Sequence, residues 1–325
     1  MFDHHIIQKE YKMKGLTNYI TQSTWKDILT VQYILIDDSY QQSDPALWPK
    51  RKFAPQGTPE FSDSEVITIA MFAETIFDGD EDKTLHFIRQ YHLDLFPTLL
   101  DKSRFNRRRR QLTQVMEAIR EQLRDYWRVL HPLAEEEAHL RLVDSAPISI
   151  CTYPRGGRCQ SIPLEWRDEW FGVCTSKKTK FFGPRCHVTT TLDQMIDTWL
   201  LAPGSYEDRK PMAALLEKRR GLSIIGDKGY VSQELENRLW EDGEHLLLAL
   251  KRDNQKEQWP SGIQRILGYL RHRVETVFSV LTTVFNFERP KSRSLSGLIN
   301  RTTTKILAHT VSFFLAEILT PELSN

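Results

Sequence analysis

Two aspartates stand at the ends of apolar runs. Asp144 follows Leu140-Arg141-Leu142-Val143, and Asp227 follows Leu222-Ser223-Ile224-Ile225-Gly226. Both runs predict short strands, and strand ends in sheets of mixed α/β type are where ligand sites collect. If the two strands are neighbours, their carboxylates meet at one rim. Like charges that close repel, so such a pair needs a cation between them. Hard oxygen ligands of this kind suit magnesium or manganese. Gly226 before the second aspartate allows close backbone approach.

Glu275 completes the set. Its helix carries apolar residues at 263, 266, 267, 270, 274, 277, 278 and 281, and Glu275 flanks that stripe. Arg271, Glu275 and Ser279 share one line at i, i+4 spacing. Arg271, Arg273 and, beside the second aspartate, Lys228 are candidate phosphate contacts. A lone strand-end aspartate is more often a turn or cap residue, and a lone helical glutamate is ordinarily solvated. The combination is what points to a metal site. His187, on the strand next to Asp144's, either supports that site or is a core histidine.

A second basic group lies upstream, at Arg104 and Arg107-Arg108-Arg109-Arg110. Four adjacent arginines inside a helical pattern suit a phosphate backbone, although a scattered basic face is usually only solvated. The total charge hides this. The 325 residues hold 44 Lys+Arg against 43 Asp+Glu, a net charge of +1, which taken alone argues against nucleic acid. Yet residues 60–101 hold ten acidic and two basic residues, residues 102–128 nine basic and three acidic, and residues 265–305 eight basic and two acidic.

The elements that must position these residues fall into three regions. Residues 1–59 read as an N-terminal arm and linker, with a weak helix over 25–36 and prolines at 45, 49, 55 and 59. Residues 60–131 read as a helical DNA-binding region. Ser62 or Asp63 caps its first helix and Ser103 the basic one, in an arrangement compatible with helix-turn-helix reading of DNA. Residues 132–325 change grammar. Strands are expected at 139–144, 181–191, 195–202, 222–226 and 245–251, with helices at 208–220, 231–242, 262–285 and 297–319. The order β-β-β-α-β-α-β-α-α means a mixed sheet with helices packed on it.

Other classes fall away. No apolar run approaches the roughly 18 residues of a membrane span, and no signal peptide is visible. Cys151, Cys159, Cys174 and Cys186 form no C-x-x-C pair, so free thiols in a reducing, cytoplasmic setting are expected over a zinc site.

Three blocks are familiar together. Asp144-Ser145-Ala146-Pro147-Ile148, Gly226-Asp227-Lys228-Gly229-Tyr230 and Arg273-Val274-Glu275-Thr276-Val277-Phe278-Ser279 resemble the catalytic blocks of bacterial insertion-sequence transposases of the DDE type. The nearest group is the insertion sequence 982 family. Ser103 to Arg110 resembles that family's N-terminal basic block, and Lys305-Ile306-Leu307-Ala308-His309-Thr310 its C-terminal helix. The likeness spans roughly residues 60–319. In the third block Arg271 fits the family's arginine, Tyr269 is one residue off its tyrosine, and Thr282 stands where its lysine would be.

The resemblance implies an RNase H-like core with Asp144, Asp227 and Glu275 as catalytic and metal-binding triad. It also implies two Mg2+ (or Mn2+) ions. The partners would be the inverted-repeat ends of an element and a target DNA, bridged by a homodimer in a bacterial, nucleoid-associated setting. The activity would be strand cleavage followed by joining of the 3′-OH end. The alternatives are an RNase H-like nuclease of resolvase or repair type and a domesticated DNA-binding protein without catalysis.

Overall fold

The computed structural model describes residues 25–50, 60–174, 178–251, 254–255, 258–292 and 294–319. The chain divides into two compact units. One comprises the residues up to Trp127 together with Leu281 onward, and the other spans Arg128–Val280.

The first unit is helical. Helix α1 (Trp25–Gln42) buries Ile28, Leu29 and Ile36. It continues six residues past the helix expected there, because Ser39 and Tyr40 find burial at its end. The rest of the expected arm, residues 1–24 and 51–59, lies outside the described residues. Helix α2 (Asp63–Ile76) starts on a reciprocal capping box between Ser62 and Glu65, so of the two caps expected Ser62 is the one used. It is apolar almost all round, which marks it as the centre of the unit. Helix α3 (Glu81–Tyr91) is capped by Asp80.

The basic helix is two helices. α4 (Lys102–Gln111) is capped by Asp101, whose carboxylate accepts from the Arg104 N–H at 3.0 Å, so Ser103 lies inside the first turn. The ladder breaks at the buried Leu112, and α5 (Thr113–Leu130) follows. The C-terminal helix α10 (Leu295–Leu319) belongs to this unit, where sequence alone grouped it with the sheet. It packs on α2 and is joined to it by ion pairs deep in the core.

The second unit is built on a five-stranded sheet. A single turn, α6 (Glu135–Ala138), leads into β1 (Leu140–Pro147). The other members are β4 (Pro184–Thr190), β5 (Ile196–Pro203), β6 (Ser223–Gly226) and β7 (Leu246–Ala249), in the order β5-β4-β1-β6-β7. The β5-β4-β1 pairings are antiparallel, and β1-β6 and β6-β7 are parallel. This is the mixed sheet expected. Helices α7 (Met212–Leu216) and α8 (Gln233–Gly243) cover one face. Met212, Leu215, Leu235 and Leu239 pack there against Val143, Ile224 and Leu247. The long α9 (Ser261–Phe285) begins in this unit.

Two differences from the expected elements bear on the site. The helix predicted from Asp208 forms only from Met212, so Asp208 lies in the preceding turn. A five-residue helix is marginal alone; its buried leucines, each contributing roughly 1.5–3 kcal/mol, hold it in place. The single strand predicted over 181–191 is broken at Gly183. There φ is +154°, and a Cβ would come within 1.9 Å of the Ile148 carbonyl oxygen. Residues before the break form β3 (Thr179–Phe182), paired with β2 (Phe171–Cys174) in a separate two-stranded sheet.

Candidate active site

Strands β1 and β6 run parallel and adjacent, with Leu142 opposite Ile225. Asp144 and Asp227 therefore each lie two residues beyond the last β1–β6 pair; Asp144 does not end its strand as expected, because β1 runs on to Pro147 against β4. The Ser145 N–H donates to the Asp144 carboxylate at 2.7 Å. Asp227 caps a short 3-10 turn, Lys228–Tyr230, by accepting from the Gly229 N–H at 2.8 Å.

The third acid arrives on α9. Arg271 sits one turn before Glu275 and pairs with it, while the other arm of its guanidinium lies 3.9 Å from Asp227 Oδ2. Arg271 thus links the second and third acids of the set. His272 Nδ1 lies 2.8 Å from the other Glu275 oxygen. The i, i+4 line read from the sequence is a real contact.

A fourth acid joins them. Asp208 Oδ1 accepts from the Ser145 hydroxyl at 2.6 Å. A Cβ placed on Gly229 would lie 2.9 Å from Asp227 Oδ1 and 3.8 Å from Asp208 Oδ2, which puts both carboxylates around one small space. The sequence hid Asp208, since it reads as an ordinary helix N-terminal acid. Arg185, also passed over, reaches Ser145 Oγ at 3.5 Å from β4.

The electrostatics follow. Burial first, and then the charges of Asp227 and Asp208, push the Asp144 carboxyl up to about 7. The Ser145 N–H and Arg271 work against that rise. A carboxyl so raised is one whose charge lacks compensation. Around it are polar groups with nothing to bond. The Tyr230 hydroxyl is fully buried without a partner, and its pKa is raised by burial and by Asp208, Asp144 and Asp227. His187 is also fully buried, and neither ring nitrogen has a hydrogen-bond partner. Its Nδ1 lies 3.9 Å from Asp208 Oδ1, beyond bonding distance. Burial, with help from Arg185, holds its pKa down to about 3, so the ring is neutral. Buried polar groups are nearly always satisfied, by protein, water or a ligand.

Hard carboxylate oxygens with orphaned donors around them fit a hydrated divalent cation. Among the described residues, no three Asp, Glu, His or Cys side chains converge as a ready cage. Arg271 supplies positive charge between Asp227 and Glu275 instead. None of the four cysteines is in a disulfide, and Cys174 and Cys186 are buried.

The expected DNA contacts separate. Lys228 is exposed beside Asp227. Arg273 is turned inward and donates to the Leu192 carbonyl at 2.7 Å, so it is a structural residue here. In the first unit Arg104 is exposed and pairs with Asp101, and Arg107 and Arg110 are exposed. Arg108 binds Asp63 at 2.6 Å and the Phe61 carbonyl. Arg109 is 1% exposed and pairs with Glu81 at 3.1 Å. Arg108 and Arg109 are therefore committed to the fold. The 3.6-residue period turns Phe105, Arg109 and Leu112 to one buried face.

Residues 134–295 match the family model of the transposase DDE domain. No curated protein and no solved structure shows significant similarity to the chain. No helix among the described residues is long and apolar enough to cross a membrane. The matched stretch contains Asp144, Asp227 and Glu275 together with the sheet and helix that carry them. Through residues 134–295, the chain belongs to the transposases with a DDE domain.

Proposed function

We propose that this transposase cleaves DNA at the ends of an insertion sequence and joins the freed 3′-OH ends to target DNA. Asp144, Asp227 and Glu275 would be its catalytic carboxylates. The observation that carries the reading is the arrival of Asp144 and Asp227 at one end of paired parallel strands, with Arg271 linking Asp227 to Glu275.

The three carboxylates would hold Mg2+ or Mn2+, two ions per site by analogy with the family. When bound, the ions supply Lewis acidity that activates a water or a 3′-OH and stabilises the departing 3′ oxygen. The chain's own residues orient and balance charge. The Ser145 N–H fixes the Asp144 carboxylate, and the Gly229 N–H fixes that of Asp227. Asp208 adds a fourth negative charge through Ser145, and the buried Tyr230 hydroxyl keeps a donor without a protein partner. Arg271 balances the charges of Asp227 and Glu275 and, like the exposed Lys228 beside Asp227, is a candidate phosphate contact.

The ends recognised would be inverted repeats, and bringing two ends together calls for at least a homodimer. Kinship with the insertion sequence 982 group rests on the quoted blocks.

A nicking assay on DNA carrying the gene's flanking repeats tests the reading. Asp144→Asn, Asp227→Asn and Glu275→Gln should each lower metal-dependent cleavage by about 100-fold or more while leaving end binding intact. Near-normal cleavage by any one of them would remove that residue from the triad.

A further inference from the structure

The first unit holds a cavity of about 630 Å3 that the carboxylate site does not use. One wall is α4, through Lys102, Ser103, Asn106, Arg107 and Arg110. The opposite wall lies far along the chain and consists of Lys291, Ser292 and the start of α10 at Gly297. The approach is close. A Cβ on Gly297 would lie 2.8 Å from Ser292 Oγ and 3.8 Å from Arg110 Nη2.

The floor is charged and buried. Glu74 is fully buried and meets Lys305 at 2.5 Å, Arg301 at 2.8 Å and Arg109 at 3.5 Å. Glu81 meets Arg109 at 3.1 Å. Asp78 adds its negative charge near Lys305, so three cations face three carboxylates. Burial works to raise the Glu74 carboxyl, but Lys305, Arg301 and Arg109 outweigh it and hold the pKa below its ordinary value. Arg109, almost wholly buried and lining the cavity, has an Nε–H with no hydrogen-bond partner. A buried guanidinium donor left unsatisfied is costly unless an acceptor completes it.

The rim adds positive charge. Arg107 and Arg110 point outward from α4, and Lys291 is exposed opposite them. None of the three pairs with a carboxylate among the described residues, whereas Lys102 pairs with Asp82. Ser294 caps α10 by accepting from the Gly297 N–H at 3.1 Å. A helix of 25 residues therefore directs its N-terminal end at the same space, where its dipole favours an anion. Hydroxyls, amide donors, guanidinium groups and an ammonium converging on a concave surface match phosphate oxygens.

We infer that this cavity is a phosphate-binding pocket that seats the backbone of a DNA strand, formed jointly by α4 and the start of the C-terminal helix. The inference rests on the DNA-processing role proposed above and gives it a specific contact. The arginine run then has two jobs. Arg108 and Arg109 build the pocket, and Arg107 and Arg110 meet the phosphate together with Lys291, a residue 181 positions beyond Arg110.

The test is DNA binding by fluorescence anisotropy with the full chain and a duplex carrying the flanking repeats, between 50 and 200 mM salt. Lys291→Gln and Arg110→Gln, both at exposed positions, should each weaken binding. Each should also lower the salt slope by about 0.9, which makes the affinity fall roughly threefold less steeply over that range. Lys291→Arg should restore both. Inorganic pyrophosphate should compete with DNA for the wild type and lose that ability in Arg110→Gln. Unchanged affinity and slope in both Gln variants would overturn the pocket while leaving DNA processing untouched. Pyrophosphate binding that never competes with DNA would overturn the DNA strand as occupant. A wild type that binds no duplex would overturn the DNA-processing reading itself.

Discussion

At the scale of single residues, chemistry and sequence agree where one side chain does one thing. Asp144, Asp227 and Glu275 were legible because their neighbours were unusual: apolar strands ending in an acid, and an acid flanking an apolar helix stripe. Asp208 was not legible, because a carboxylate in a turn before a helix has an ordinary explanation. The 2.6 Å bond from Ser145 and the space shared with Asp227 at Gly229 set it beside the other acids. Asp208→Asn should raise the Kd for Mn2+ by about tenfold, read by electron paramagnetic resonance of the free ion, with the circular dichroism spectrum unchanged. An unchanged Kd would reduce Asp208 to a partner of Ser145. His309 carries a second prediction. Burial, aided by Arg120, holds its pKa down to about 4. The unfolded chain therefore takes up a proton before the folded one does, and stability falls as pH drops from about 6.5 to 4. The loss from this residue is about 3 kcal/mol over that window. His309→Gln should flatten the corresponding part of a urea-midpoint profile; an unaltered profile would show that His309 is not the titrating group. Asp197 acts in the same direction but in a lower window. Although burial raises its pKa, Arg219 and Arg141 hold it down to about 2, so its contribution persists until pH falls below about 4.

At the scale of elements, helices and strands with clear periodicity were readable and their ends were less so. A cap at Ser62 or Asp63 could be read, and the structure settles it on Ser62, whose reciprocal bonds with Glu65 satisfy two orphan donors. The break at Gly183 could not, because a glycine in a strand pattern has several meanings. What decides it is the approach of the Ile148 carbonyl, a contact across 35 residues. Gly183→Ala should lower the thermal midpoint by several degrees and disturb the β2-β3 hairpin; full retention of stability would mean the backbone there has slack. The joining of α10 to α2 was equally hidden, because it runs through charges. Lys305 and Glu74 lie 231 positions apart and are both fully buried. Glu74→Gln removes the buried carboxylate nearest Lys305 and Arg301 and should cost about 3–5 kcal/mol in urea unfolding. The double variant Glu74→Gln, Lys305→Met should recover part of that. No recovery would mean the two residues do not act as a pair.

At the scale of the molecule, the chain is two units with different charge logic. Its net charge of +1 concealed an acidic stretch and two basic ones, and the structure shows where each goes. Much of the acidic stretch is consumed internally. Asp63, Glu74 and Glu81 neutralise Arg108, Arg109, Arg301 and Lys305 within the first unit. The arginines left over are those on the outer face of α4. In the second unit the uncompensated charge is negative and gathered at the sheet's end. A surface for phosphate and one for metal is the division that the proposed strand transfer would use. The most direct test of that account is a strand-joining assay. A duplex ending in the flanking repeat with a free 3′-OH is incubated with a supercoiled target and Mg2+, and covalent joining is followed on a denaturing gel. The account predicts joining by the wild type and none by Asp227→Asn, which should still bind the duplex. Joining by Asp227→Asn at the wild-type rate would contradict it.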